Sequence, residues 1–311
     1  MYINKIKIIT FQLLSVVILF KLQDLLSFLR IRKLYSVKYI EFINNAKEIG
    51  LDFYPVGTYD WELWRRDIKN NFSKNLPIYF LHSHNISKTM VFGSTKYQKN
   101  KLLLIESCFQ KEYVKRMLRE SFIGFPIISN LKYLSSENTI HQAFHLSSYY
   151  NFTNKNLIDS QRIVEWGGGY GCLARIVKKI NTKCTYIIMD LPELSVLQYV
   201  YLSSIFGQNE VNFITKNLEI EEGKINLISS DYFMSLDKEI KTDTFISNWA
   251  LTESGKDYQN YVLGKKFFSA ENILVSCIDD KNNYIVNNES CSFDYKESIK
   301  VLGDKNFYLM K

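Results

Sequence analysis

The chain has 311 residues, of which 46% are hydrophobic, and a formal net charge of +7. This composition supports one large domain or two modest ones with an apolar core, and it excludes a mainly disordered protein. Basic residues exceed acidic ones only mildly, 39 to 32, and no long basic run lies outside the N-terminal region. Nucleic-acid binding is therefore disfavoured, and a membrane surface or an acidic small molecule matches the charge better.

A short apolar run lies near the start of the chain. Residues 8–20 contain ten apolar residues in thirteen, with Lys5 and Lys7 before the run and Lys21 after it. A helix that spans a bilayer needs about 20 apolar residues, and no small-x-small cleavage site follows. Two interpretations of residues 5–30 remain open: a helix on the inner face of the membrane, or a helix buried against the protein or in a homodimer.

The five cysteines are odd in number and scattered, and none forms a C-x-x-C pair. The sequence therefore predicts reduced thiols, without a disulfide framework or a zinc site. The positions are Cys108, Cys172, Cys184, Cys277 and Cys291.

The hydrophobic pattern changes near residue 155. Residues 1–155 read as a mainly helical region, with helices predicted over 32–49, 102–122 and 138–150. From residue 156 to 311, short apolar runs alternate with helix-length segments, which is typical of a parallel sheet with crossover helices. The predicted strands are 162–165, 185–190, 225–229, 244–248 and 272–278.

A glycine-rich turn follows the first predicted strand. Gly167, Gly169 and Gly171 lie between this strand and a helix start, where a tight turn must let the backbone approach a ligand closely. Free N–H groups at the helix start favour a carboxylate or a phosphate, and S-adenosylmethionine (SAM) carries a carboxylate. Asp190 ends the next strand, where an acid would face the ribose hydroxyls of the cofactor.

A dinucleotide site is the main alternative for this turn, because residues 169–174 also fit the looser dehydrogenase fingerprint. Two features favour SAM. Glu165, two residues before the first glycine, can meet the ammonium group of SAM, and the unit lies late in the chain whereas a dehydrogenase unit usually opens its fold. A nicotinamide or flavin cofactor and a purely structural turn remain as alternatives.

Three segments resemble class I SAM-dependent methyltransferases, and most closely the sugar O-methyltransferases found among bacterial surface-polysaccharide genes. They are 164–171 (VEWGGGYG), 189–194 (MDLPEL) and 245–253 (FISNWALTE), with a weaker likeness over 138–146. The resemblance implies an α/β, Rossmann-like methyltransferase domain with a mostly parallel seven-stranded sheet, preceded by the helical region. The cofactor-binding residues that it implies are Glu165, Gly167, Gly169, Gly171, Asp190, Leu191 and Asn248.

The same resemblance places Asp231 beside the adenine, where its carboxylate would accept the adenine amino group, with Phe233 packed near the ring. The alternative is that Asp231 caps a turn and that Phe233 fills the core.

The general base is left open. A sugar hydroxyl is a poor acid, so methylation needs a positioned base. Phenolic O-methyltransferases of the plant type have a His-Asp-Trp stretch here, whereas this chain has Ser-Asn-Trp at 247–249. The candidates are His141 and His145, which are four residues apart and share a helix face, and Glu253. For each, packing or capping is the alternative.

His82 and His84 would share one face of a strand and could hold a metal, but no convincing acid accompanies them, and no metal is predicted.

The sequence thus predicts a SAM-dependent O-methyltransferase that methylates a sugar hydroxyl in surface polysaccharide (O-antigen or capsule) biosynthesis. The acceptor would be a glycan, lipid-linked or nucleotide-linked, and the enzyme would be cytoplasmic or peripheral at the inner membrane face. The rivals are an O-methyltransferase of a phenolic or other small metabolite, and a catalytically silent scaffold with the same fold.

Overall fold

The computed structural model describes residues 22–48, 59–72, 74–236, 238–278, 285, 292–303 and 305–311. The apolar run at 8–20 and Cys291 lie outside these residues. Among the described residues, no helix has the length and apolar content needed to cross a membrane. The four described cysteines are free thiols.

The N-terminal half is mainly helical, as predicted. Residues 22–31 are helical, and a short antiparallel pair of strands, β1 (Ile128–Asn130) and β2 (Ser135–Ser136), precedes the last helix. The other helices are α1 (Leu34–Glu48), α2 (Tyr59–Phe72), α3 (His84–Met90), α4 (Gln98–Cys108), α5 (Lys111–Leu118) and α6 (Glu137–Thr153).

The helix predicted over 102–122 is two helices. Phe109 and Gln110, between α4 and α5, have extended backbone angles, with ψ of 149° and 144°. The predicted helix over 138–150 is confirmed as α6, which begins one residue earlier. The Ser136 hydroxyl accepts a hydrogen bond from the Thr139 amide and caps its first turn.

The C-terminal half forms an eight-stranded sheet among the described residues, in the order β5-β6-β4-β3-β7-β8-β10-β9. The strands are β3 (Arg162–Trp166), β4 (Thr185–Asp190), β5 (Val211–Ile214), β6 (Ile225–Ser229), β7 (Thr244–Asn248), β8 (Asn272–Ile278), β9 (Tyr295–Ser298) and β10 (Asn306–Met310). The helices are α7 (Cys172–Ile180), α8 (Pro192–Phe206), α9 (Ser230–Ser235), α10 (Ala250–Glu253) and α11 (Lys256–Gly264).

The strands from β3 to β8 pair in parallel, whereas β10 is antiparallel to both of its neighbours. The predicted α/β fold with a mostly parallel sheet is confirmed, with one strand more than the seven expected. The five strands predicted from apolar runs are present, and four of them have the predicted bounds. The edge strands β5 and β9 are short and partly exposed, so they have no continuous apolar run.

The two faces of the sheet pack against different layers. Alternate side chains of β3 divide between them: Ile163 belongs to the core under the N-terminal helices, α7 and α8, and Val164 to the core under α9 and α11. Strand order reverses between β3 and β7, which both run toward the same edge. In open parallel sheets, ligands bind at such a reversal, outside the carboxyl ends of the strands.

Candidate active site

A cleft of about 520 Å³ opens at the reversal point. The turn after β3, the segment after β7, α6 and residues 88–92 all line it. Residues from the two halves of the chain therefore contribute to one cavity, whose volume is within the size range of small-molecule and cofactor sites.

The glycine turn lies against the segment after β7. Gly167 has φ of +77°, and a Cβ on it would lie 2.0 Å from the Cβ of Ala250. Gly169 has φ of +57° and also lines the cleft. The contact with Ala250 and the positive φ angles show that this turn depends on glycine.

Asp190 ends β4 at the bottom of the cleft. Its carboxylate accepts hydrogen bonds from the Leu191 amide (2.7 Å), the Gly169 amide (3.0 Å) and the Gln198 side chain (2.8 Å). Burial raises the pKa of Asp190 to about 7, although these donors act to lower it. The carboxylate of Asp190 is thus fixed in position and hydrogen-bonded to the glycine turn.

Glu165 lies on β3 beneath the same turn and is 3% exposed. Its Oε2 accepts a hydrogen bond from the Tyr186 hydroxyl at 2.9 Å. Burial raises the pKa of Glu165 to about 8, and the neighbouring Asp190 adds to the effect. Two carboxyls of raised pKa at one end of a cleft are typical of a site whose ligand supplies positive charge or hydrogen-bond donors.

The start of α7 completes this end of the cleft. Gly171 precedes the helix, and no side chain caps the free N–H groups of the first turn. Tyr170 and Cys172, on either side of Gly171, line the cavity. An uncapped helix start favours an anionic group such as a carboxylate.

Leu191 and Asn248, also predicted to bind the cofactor, line the cleft. Asn248 ends β7, where its Oδ1 accepts a hydrogen bond from the Ser276 hydroxyl (2.7 Å).

The structure does not bring the predicted adenine contacts into the cleft. Phe233 is 0% exposed and packs against Phe268 and Tyr261 in the core, so the core-filling alternative describes it. Asp231 lies beside the cleft, where its Oδ1 accepts a hydrogen bond from Tyr258, a residue of the lining. Its Oδ2 is buried and has no hydrogen-bond partner in the described part of the chain.

His141, on α6, also lines the cleft. Its ring stacks on Phe92, with ring centroids 4.0 Å apart, and lies nearly parallel to Trp249 at 6.0 Å. Burial lowers the pKa of His141 well below its ordinary value, with smaller contributions from His145 and Lys101. The ring is therefore fixed in orientation and neutral at pH 7.

His145, predicted with His141 as a catalytic candidate, does not belong to the cleft lining. It is 0% exposed, one helical turn along α6, and its Nδ1 lies 2.6 Å from the Tyr308 hydroxyl. Burial lowers its pKa to about 3. Its ring contacts His141 and Trp249, which do line the cleft.

Glu253, the third candidate, lies at the rim of the cleft with an exposed side chain. Partial burial of its carboxyl raises its pKa.

The strand predicted around His82 and His84 is wrong. His82 ends a 3₁₀ turn (Phe80–His82) and His84 begins α3, so the two rings do not share a strand face. The described residues contain no group of three or more residues of types that bind metals.

Sequence reasoning missed several residues of the cleft. The Gln198 side chain, on the helix that follows Asp190, donates a hydrogen bond to the Asp190 carboxylate. Gln198 lies two turns into a buried helix, where no sequence motif identifies it as a site residue. Phe92 joins the site through the Asn138 side chain, which accepts a hydrogen bond from the Phe92 amide (2.9 Å) and donates one to Tyr170 (2.8 Å). Trp249 was visible in the Ser-Asn-Trp segment, but its stacking on His141 depends on tertiary structure.

No protein-family model and no curated protein sequence matches the chain. Among solved structures, it is similar to PigF with SAH, at 15% identity over 42% of this chain and 39% of that chain, with a TM-score of 0.30. It is also similar to the mitomycin 7-O-methyltransferase MmcR, at 8% identity over 69% of this chain and 68% of that chain (TM-score 0.37). A third is human N-acetylserotonin methyltransferase in complex with SAM, at 14% identity over 86% of this chain and 79% of that chain (TM-score 0.27). Similarity at this level assigns the chain to no family and carries no residue role over to it.

Proposed function

We propose that the chain is a SAM-dependent O-methyltransferase whose cofactor binds in the cleft between β3 and α7. The observation that carries this proposal is the pairing of two buried carboxyls, Glu165 and Asp190, with a glycine cradle and an uncapped helix start at the reversal point of a parallel sheet.

The residues fit the polar groups of SAM one by one. Glu165 would face the ammonium group, the N–H groups at the start of α7 the carboxylate, and Asp190 the ribose hydroxyls. Gly167 and Gly169 have positive φ angles and line the cleft, so the backbone of this turn is open to a ligand there. SAM supplies a methyl group that its sulfonium already activates, so the chain must align an acceptor and receive a proton.

We propose a sugar hydroxyl as the acceptor, on a lipid-linked or nucleotide-linked glycan at the cytoplasmic side. The sugar assignment rests on the sequence resemblance. The cleft supports it by combining an aromatic residue, Trp249, with the amide side chain of Gln142, whose oxygen accepts a hydrogen bond from Asn248 (3.4 Å).

Calorimetry with SAM tests the cofactor, and an acceptor panel with labelled SAM tests the substrate. We expect SAM binding that Glu165→Gln weakens, and methyl transfer to a glycan but not to simple phenols. Methylation of phenols alone would replace the sugar by a small-metabolite acceptor. Absence of SAM binding would overturn the enzyme assignment in favour of a silent scaffold.

A further inference from the structure

The two most exposed large apolar side chains among the described residues lie in one hairpin, outside the cleft. They are Leu131 (82%) and Ile127 (72%), in the segment 119–136 that contains β1 and β2. Phe125 in the same segment and Leu103 on α4 are also more than half exposed. We call these four side chains the hairpin patch. A single exposed apolar residue needs no explanation, whereas several together mark a surface for an apolar partner.

Hydrogen bonds join the hairpin to α4 and bring Leu103 beside it. The Glu106 carboxylate accepts hydrogen bonds from the Lys132 ammonium (2.7 Å) and from the Tyr133 hydroxyl (2.6 Å). Leu103 lies three residues before Glu106, on the same face of α4. Since Leu131 directly precedes Lys132, Leu103 and Leu131 lie on neighbouring parts of one surface.

The backbone of the hairpin segment has a conformation that costs energy. Phe122, Phe125 and Leu134 have φ of 62°, 57° and 51°, in the left-handed region that bulky residues rarely adopt. Hydrogen bonds maintain it: the Leu134 carbonyl accepts from the Glu120 amide (3.1 Å), and the Phe125 carbonyl accepts from Nε2 of His82 (2.6 Å). Folding alone favours glycine at such angles. An exposed phenylalanine there is therefore best explained by a contact outside the chain.

Positively charged side chains accompany the patch. Residues 95–135 carry seven exposed lysines and arginines and two exposed acids, and so account for most of the chain's net charge of +7. Arg119 precedes the hairpin, Lys132 follows Leu131, and Lys99 lies one helical turn before Leu103. Exposed apolar side chains beside lysine and arginine are typical of proteins that lie on anionic lipid membranes. Protein–protein interfaces are depleted of lysine, so the charge favours a lipid surface over a second copy of the chain.

The hairpin is also connected to the lining of the cleft. The Gln98 side chain donates one hydrogen bond to the Ser129 hydroxyl of β1 (2.9 Å) and another to the Glu137 carboxylate of α6 (2.7 Å). Asn138, the next residue of α6, lines the cleft. A lipid surface in contact with the hairpin would therefore lie close to the part of the chain that forms the cleft.

We propose that the hairpin patch docks the protein on a membrane surface that contains anionic lipids. The apolar side chains of the patch leave water for the boundary of the acyl chains, and Lys99, Arg119 and Lys132 face the headgroup phosphates. The inference goes beyond the proposed function, because docking requires no SAM. Together with that function, it brings the cleft to the surface where a lipid-linked acceptor is found.

Cosedimentation of the full chain with vesicles tests the docking. One vesicle preparation contains equal parts of phosphatidylglycerol and phosphatidylcholine, and the other contains phosphatidylcholine alone. We expect binding to the mixed vesicles that is weaker at high salt, and weaker binding to phosphatidylcholine. The double variant Ile127→Ser with Leu131→Ser should weaken binding to the mixed vesicles at least about tenfold, since two large apolar side chains no longer leave water. Lys99→Gln should weaken it about fivefold.

Two matched controls replace the same residue types outside the patch. Val37→Ser changes an exposed apolar residue of α1, and Lys300→Gln changes an exposed lysine of the C-terminal half. Both should bind the mixed vesicles as the wild type does. All of these positions are exposed, so melting temperatures should stay close to that of the wild type and exclude misfolding as the cause.

A wild type that does not bind the mixed vesicles would overturn the inference. A double variant that binds them as well as the wild type would do the same, and would assign the docking to another part of the chain. A wild-type dimer that Leu131→Ser converts to monomers, without vesicle binding, would make the patch an interface between two copies instead. Calorimetry with SAM is a separate measurement: a wild type that binds vesicles and no SAM would contradict the proposed function alone.

Discussion

The carboxylate of Asp190 has three donors that fix it, and under the proposed function its lone pairs face the ribose. Asp190→Asn removes the charge and should weaken SAM binding about 10- to 100-fold, since a hydrogen bond to a charged group contributes roughly 1.5–3 kcal/mol. Calorimetry measures this. Asp243→Asn is the control, because Asp243 accepts main-chain hydrogen bonds from Gln161 and Arg162 just before β3, at the opposite end of the strands. Equal effects of the two substitutions would contradict the role of Asp190.

The raised pKa values of Glu165 and Asp190, about 8 and about 7, predict pH-dependent binding. In the free protein both carboxyls are largely protonated at low pH, and a cationic ligand favours their ionised forms. SAM affinity should therefore rise from about pH 6 to about pH 8, with proton release on binding. Calorimetry in two buffers of different ionisation enthalpy detects that release, and Glu165→Gln should reduce it. Binding independent of pH would be incompatible with this account.

The same shifts predict how the free protein responds to pH. Because both folded-state pKa values lie above the unfolded ones, these two groups stabilise the fold most below the unfolded pKa values. That contribution is lost as pH rises through about 7 and then about 8. Melting temperatures measured with and without SAM should show that SAM stabilises the protein more at about pH 8 than at about pH 6. Equal stabilisation by SAM at the two pH values would be evidence against this prediction.

At the residue scale, most of the residues that the sequence predicted to bind the cofactor line one cleft, whereas of the predicted catalytic residues His145 does not. Glu165 and Asp190 lie at the carboxyl ends of β3 and β4, and Gly167 follows β3; the ends of parallel strands meet at one edge of the sheet, so a local pattern was sufficient. Phe233 and His145 are buried in the core. Their burial depends on tertiary packing, which the spacing of residues along a helix does not reveal.

At the scale of the elements, the glycine turn packs closely against the segment after β7. Gly167→Ala places a Cβ 2.0 Å from that of Ala250 and forces a residue with a side chain to φ of +77°. The backbone angle alone costs about 1–3 kcal/mol, and the turn must shift, so both stability and SAM binding should fall. Chemical denaturation and calorimetry measure the two effects.

Gly264→Ala is the control for that substitution. Gly264 ends α11 with open space around its Cβ position, so alanine there should leave stability within about 1 kcal/mol and SAM binding unchanged. A Gly167→Ala variant that binds SAM normally would show that the cradle is not required.

Continuous apolar runs made the buried strands predictable to within a residue. The interrupted helix at Phe109 and the edge strands β5 and β9 were not predictable from the same signal, since their positions depend on neighbours distant in the sequence.

At the scale of the whole molecule, buried polar contacts near Asp190 join the helical half of the chain to the sheet half. Arg65 of α2 forms a buried ion pair with Glu193 at 3.0 Å, in the first turn of α8 and three residues after Asp190. Tyr39 of α1 donates to the same carboxylate at 3.0 Å. The sequence indicated two halves of different structure. It did not predict the contact between them, because Arg65 and Glu193 are 128 positions apart and no local pattern connects them.

Arg65→Met should therefore destabilise the protein by roughly 3 kcal/mol, because Glu193 keeps a buried charge without its cation. SAM affinity should fall as well, since Glu193 and Asp190 belong to one segment. Arg66→Met is the matched control, because Arg66 is exposed on the same helix and its loss should change stability by less than about 0.5 kcal/mol. If the two variants unfold at the same denaturant concentration, the ion pair does not hold the halves together.

Trp249 has φ of 64° and ψ of −35°, a backbone shape that costs a bulky residue energy and suits glycine. Under selection for folding alone, substitutions at this position would drift toward glycine. If related chains keep a tryptophan at this position, its indole ring is therefore under selection for function. Related chains without this tryptophan are expected to keep the fold and to lack the activity.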